Sequence, residues 1–249
     1  MTPQETSRAI AAPTGDLGAY FYFQPATVAA GKEMGLDGFR FYVLGRGGAL
    51  GDVPASVVSS AFGYFHPGVV ERLWNSAREI VAPPVAAQAY WDQCGARGRE
   101  GLAAVDEAVL AAYVDAADAV IGATSRAGLP LFAGTADLTC DDDVCGRALQ
   151  KASTLRELRG SAHLCAVVTS GLTDAQAHAV KRPGDVAAFG WDPAPEVPDV
   201  ADELLSAAED ATDLALQVPF AAASDDQRAA LVAGTEAMTT ALGDWRAGG

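Results

Sequence analysis

The sequence predicts an all-α protein, a multi-helix bundle of about nine to eleven helices in two packed halves. Three observations carry that expectation. Ala fills roughly a fifth of the 249 positions, which leaves few branched or large apolar residues and favours closely approaching helices over sheets. Apolar residues recur at helical spacing, and no stretch sustains the period-two alternation of a half-buried strand. Two capping boxes, Thr173-Asp-Ala-Gln176 and Ser224-Asp-Asp-Gln227, mark helix starts. With 50% hydrophobic and 20% charged residues the chain can bury a substantial core, so disorder is excluded.

Residues 1–15 are polar, with Pro and Gly among them, and read as a flexible arm. An aromatic-rich helical domain then runs over 16–182. Tyr20 to Phe23 lead to Pro25, a good first-turn residue for a helix ending near Gly35. Phe39, Phe41, Tyr42 and Leu44 fill a short second helix that Gly45-Arg46-Gly47-Gly48 interrupts. Pro54 to Phe65 and Pro67 to Glu79 read as two helices parted at His66-Pro67, because the residue before Pro is pushed out of helical space. A long helix is expected over Gly101 to Thr124, with an apolar stripe from Leu102 to Ile121. Asp141 to Leu158 and Ser161 to Ser170 form a further pair, closed by Gly171. Pro183 to Pro198 holds four of the thirteen prolines and reads as a linker over 183–198. An acidic C-terminal hairpin, 199–249, follows with helices over Asp199 to Gln217 and Asp225 to Leu242, packed on the main domain.

The first residues hold no apolar h-region and no stretch is long enough to span a bilayer, so the expectation is a cytoplasmic protein without a membrane partner. Cys94, Cys140, Cys145 and Cys165 follow no scaffold or CxxC spacing, and reduced thiols are the default. Seventeen Lys and Arg against 32 Asp and Glu leave a net charge of −15. So acidic a surface repels phosphate backbones, and the charge alone argues against a nucleic-acid partner.

Three blocks carry a resemblance. They are Arg46-Gly-Gly-Ala-Leu-Gly51, then Ala61-Phe-Gly-Tyr-Phe-His-Pro67 running to Trp74, then Leu158-Arg-Gly-Ser-Ala-His-Leu164. In order and spacing they resemble an actinobacterial family of uncharacterised proteins with a winged-helix-like C-terminal portion. The third block departs from the family's Arg-Gly-Asp-Gly-His run, reading Arg159-Gly160-Ser161-Ala162-His163 here. Relatives carry the winged-helix stretch after the position of Trp191, whereas this chain passes through Pro193 and Pro195 to an acidic helix. The resemblance with that portion missing or degenerate implies a protein that does not bind DNA.

His163 and His66 are the candidate proton-transfer residues, since neutral imidazole titrates near physiological pH. Arg159 lies four residues before His163 on one helical face and is the candidate to fix an anionic group. The bland alternatives are a packed His163 and an Arg159 capping a neighbouring helix. Cys140-Asp-Asp-Asp-Val-Cys145 lacks zinc spacing, and three consecutive Asp at a helix start suit dipole capping better than a metal, so no metal site is assigned. Neither a phosphate-cradling loop nor a nucleophile elbow occurs, and the cofactor stays unknown.

Of the nineteen aromatics, a majority fall between Tyr20 and Tyr90. Rings with polar tips suit a cavity for a planar or hydrophobic ligand, and equally fill the gaps of an Ala-rich bundle. Tyr42, Arg46, Phe62, Tyr64, Phe65 and Trp74 are the candidate ligand-binding residues. The sequence therefore points to a helical protein binding a hydrophobic or aromatic small molecule without binding DNA. The alternatives are a secondary-metabolism enzyme using His66 or His163 on such a substrate, and an interaction module docking its acidic helix on a basic partner. A homodimer is compatible with each.

Overall fold

The protein was analysed as a computed structural model, which describes residues 1–243 and 245. Among these every regular element is helical. The α-helices are α1 (Pro3–Ala19), α2 (Pro25–Glu33), α3 (Gly38–Gly47), α4 (Ala55–Phe62), α5 (Pro67–Arg78) and α6 (Pro83–Gly101). They continue with α7 (Glu107–Ala123), α8 (Pro130–Ala136), α9 (Val144–Ser170), α10 (Asp174–Lys181), α11 (Ala201–Ala221) and α12 (Asp225–Leu242). A 3-10 turn at Gly48–Leu50 follows α3. The all-α class holds, with a helix count slightly above the expected range.

The added helices arise where the sequence offers no broad apolar stripe. The expected flexible arm is α1: Thr2 accepts from the Glu5 amide, Glu5 accepts from the Thr2 amide, and Pro3 occupies the first turn. Its buried face is largely small and polar, with Thr6, Ser7 and Thr14 beside Ile10 and Leu17. Residues 83–101, unassigned from sequence, form α6, whose Gly98 approaches α9 so closely that a Cβ there would lie 2.5 Å from the Cys145 carbonyl oxygen. Because α6 runs through Gly101, α7 starts only at Glu107, where Asp106 caps it by accepting from the Ala108 amide at 2.8 Å.

The two helices expected over 141–170 are one. α9 is 27 residues long, and its buried positions include Leu149, Ser153, Leu155, Glu157 and Leu158, spread around the circumference rather than along one stripe. A helix surrounded on all sides shows little amphipathic pattern, which explains the apparent break. α9 packs on α1, α6, α7, α8, α10 and α11, and so joins the group α1, α7, α11 and α12 to the group α2–α6 and α8. Asp143 begins it by accepting from the Cys145 and Gly146 amides, the capping role expected of the Asp run. Gly171, in the left-handed region at φ 96°, ends it.

The main core gathers Phe21, Phe41, Trp74, Tyr113 and Phe132 with leucines from most helices, and a smaller cluster joins Val167, Leu172, Ala177 and Leu205. Residues 183–198 are irregular, but the first part is docked. His66 donates its amide to the Phe189 carbonyl at 2.9 Å, and the Trp191 indole N–H donates to the Tyr64 carbonyl at 2.6 Å. All four cysteines are free thiols. No helix among the described residues is long and apolar enough to cross a membrane.

Two glycine substitutions test this packing. A Cβ at Gly48 would sit 2.1 Å from the Pro83 carbonyl oxygen, and that neighbour is backbone. Gly48→Ala is expected to destabilise by about 1–3 kcal/mol through overpacking. Gly160, inside α9, has open space at its Cβ position, so Gly160→Ala is expected to stabilise by about 0.5–1 kcal/mol. Urea unfolding midpoints measure both.

Candidate functional site

α1, α3, α9, α10, α11 and the α4–α5 connection line a half-open pocket of about 310 Å³, at the small end of ligand-site volumes. Its floor is a buried ion network. Glu157, almost fully buried on α9, accepts from Arg46 Nε at 2.9 Å and Arg46 Nη2 at 2.8 Å, a two-pronged pairing from α3. Arg156 Nη1 donates to the same carboxylate at 2.8 Å and to the Tyr22 hydroxyl at 2.8 Å, while that hydroxyl donates to Glu157 at 3.1 Å. Arg46 also donates to the Tyr42 hydroxyl and lies 4.5 Å above the Phe62 ring.

Burial pushes the Glu157 carboxyl toward its neutral form, but the two guanidinia outweigh it and hold the group at about 2. Burial likewise raises the Tyr22 phenol, which therefore stays a proton donor.

A second cluster lies where α11 crosses α9. Arg159 Nη2 donates to Glu209 at 2.6 Å, and Lys181 Nζ lies 3.8 Å from the same carboxylate. Although burial opposes its ionisation, the charges of Arg159 and Lys181 hold Glu209 below the usual carboxylate range. His163 Nδ1 is 2.9 Å from Thr212 Oγ1. Thr212 spends its own proton on the Ala208 carbonyl, so the imidazole donates from Nδ1 and leaves Nε2 as an acceptor. Burial lowers the His163 pKa and favours this neutral form.

The third wall is aromatic. Phe62 ends α4, while Tyr64 and Phe65 belong to the connection Gly63–His66 that leads into α5. Gly63 and Tyr64 both have positive φ, 58° and 31°, which folds the chain back sharply. Phe65 stacks on Phe189 at 4.2 Å, and His178 packs on the same ring at 4.1 Å. Burial pushes the Tyr64 phenol up to about 12.

Of the residues expected at a site, Tyr42, Arg46, Phe62, Tyr64, Phe65, Arg159 and His163 share the pocket. Two do not. Trp74 is fully buried on the inner face of α5 with Val70 and Ala77, its indole N–H donating to the Val53 carbonyl at 3.1 Å. His66 caps α5, accepting from the Gly68 amide at 3.1 Å, and lies edge-on to Trp191 outside the lining. His66 and His163 therefore do not form a common proton-transfer site. Sequence reasoning missed Arg156, Glu157, His178 and Glu209. The adjacent opposite charges Arg156-Glu157, flanked by Leu155 and Leu158, were the available signal, since buried charges occur paired.

Glu157→Gln is expected to cost about 3–5 kcal/mol, because it leaves two guanidinia buried without their counter-charge. The sign with pH follows from the Glu157 value. As its folded pKa lies below the ordinary 4.5, the unfolded chain takes up the proton first, and this stabilisation is present above about pH 4.5 and lost as pH falls toward 2. Denaturant titrations from pH 7 down to pH 3 check both, the variant showing the shallower decline.

The sequence model of a helix-turn-helix family matches residues 7–189. No curated protein and no solved structure matches the chain significantly. The family match overturns the expectation that the protein has no nucleic-acid partner, and with it the reading of small-molecule binding without DNA binding. Two steps misled the sequence argument. Net charge describes the whole surface whereas DNA contact is local, and a DNA-binding element was sought only beyond Trp191, downstream of the matched span. A model spanning 183 of the 249 residues is decisive, and the chain belongs to this helix-turn-helix family.

Proposed function

We propose that the protein is a ligand-responsive DNA-binding protein, in which α4 and α5 form the helix-turn-helix unit and the pocket behind their turn is the sensing site. Within the matched span, Gly-containing turns of three or four residues join α4 to α5 and α9 to α10. α10 buries Ala175, Ala177, His178 and Ala179 among its eight residues and leaves little surface to offer a groove. α5 buries only Val70, Trp74 and Ala77, and turns Gly68, Glu71, Arg72 and Asn75 outward. Arg and Asn are the side chains that read guanine and adenine in the major groove, and recognition helices present their N-terminal residues to base edges. With Glu71 on the same face, phosphate attraction is small and affinity rests on base-edge contacts.

The observation that carries the reading is a shared wall. Phe62, Tyr64 and Phe65 line the pocket and also make up the end of α4 and the turn into α5. A ligand seated against these rings bears directly on the angle between the two helices, the differential contact that coupling of two sites requires.

The test is selection from a random-sequence duplex pool followed by gel shifts at about 50 mM salt, where electrostatic losses are small. The selected duplex is expected to bind, with Arg72→Ala and Asn75→Ala each weakening it by about 5- to 100-fold. Absence of any selected duplex, or binding indifferent to both substitutions, overturns the proposal.

A further inference from the structure

We infer that the sensing pocket takes an organic carboxylate with a flat apolar body, its anionic head seated at Arg159 and Arg182 and its body against Phe62 and Phe65. The inference rests on the ligand-responsive reading above and assigns its ligand class. It starts from charge. The pocket lining holds five cationic side chains, Arg46, Arg156, Arg159, Lys181 and Arg182, against two carboxylates, Glu157 and Glu209. In a chain of net charge −15 the cavity is thus a cationic exception, and a cleft lined by one sign of charge concentrates ligands of the other.

The carboxylates leave part of that charge uncommitted. Glu157 takes Arg46 and Arg156, and Glu209 takes Arg159 with Lys181 further off. Arg182 forms no ion pair among the described residues. Three lining residues, Thr14, Arg159 and His178, also bury a polar atom without a hydrogen-bond partner, and of these Arg159 Nε is the charged donor, the one that an anionic head would satisfy.

The groups converge on one residue. The Tyr64 ring lies 6.2 Å from that of His178, and its phenol feels the carboxylates Glu209 and Asp174 together with Arg159 and Arg182. Since Glu209 already accepts from Arg159 Nη2, an incoming carboxylate is offered the Nε edge. The remaining wall, with Phe62 and Phe65, is apolar and suits a planar body. A volume near 310 Å³ fits a body of one or two rings.

The test compares 2-naphthoate with 2-naphthamide, which shares the ring system and lacks the charge, by isothermal titration calorimetry on the full chain without DNA. The expected result is naphthoate binding about tenfold or more tighter than the amide. Arg159→Gln and Arg182→Gln should each reduce that preference. Arg182 is exposed, so its variant decides the matter if Arg159→Gln does not fold. Equal affinity for the two probes, binding of neither at millimolar concentration, or an intact preference in the folded variants overturns the inference. Such a failure with the gel shift intact strikes the ligand class alone, whereas loss of the gel shift with the naphthoate preference retained strikes the DNA-binding reading alone.

Discussion

Glu157 is the constraint on which the rest of the structure depends. A carboxylate placed inside a helix that is surrounded by other helices cannot remain ionised unless cations follow it inward. Arg46 and Arg156 do so, and each binds more than the carboxylate: Arg46 ties in Tyr42 and covers Phe62, while Arg156 ties in Tyr22. Tyr22 receives a further bond through its carbonyl from the Tyr90 hydroxyl, so α3, α6 and the loop after α1 are all registered against one point of α9. A buried pair contributes little net stability over an apolar replacement, but removing one partner is costly. Its value here is positional, since it fixes the floor on which the pocket's aromatic wall stands.

What was legible in the sequence follows physical lines. Capping boxes are local, so the starts of α10 and α12 could be read directly at Thr173 and Ser224, and the Thr2–Glu5 box shows that α1 was equally readable. Periodicity succeeds for helices with one wet face and fails for α9, whose circumference is buried, and for α6, where Gly95 and Gly98 replace apolar side chains at the contact. At the site, Arg159 and His163 were recoverable because they sit one turn apart on the same helix. Their partners Glu209 and Thr212 come from α11, some fifty residues on, and no local spacing announces such a meeting. Trp74 misled for the opposite reason: a large ring near a cluster of rings turns inward or toward a cavity by helix phase, and α5 turns it inward.

The global charge misled in an instructive way. The −15 total describes the outer surface, yet the cavity gathers cations that the total conceals. Acidic α11 even supplies Glu209 to restrain them. A charge sum bounds what approaches the molecule from afar but says little about a groove-facing helix or a cleft, where a few groups at short range dominate.

The position of α11 has a consequence for how this architecture can diversify. Residues 7–189, the span matched by the family, contain the Glu157 network, the aromatic wall and the α4–α5 turn. Leu205 and Glu209, which line the cavity, and Thr212, which bonds His163, lie beyond it. A chain that kept the inner framework and exchanged only its last sixty residues would keep the turn and its buried anchor, yet present a differently charged and differently shaped mouth. Inner framework and outer rim are thus written in separate stretches of the sequence.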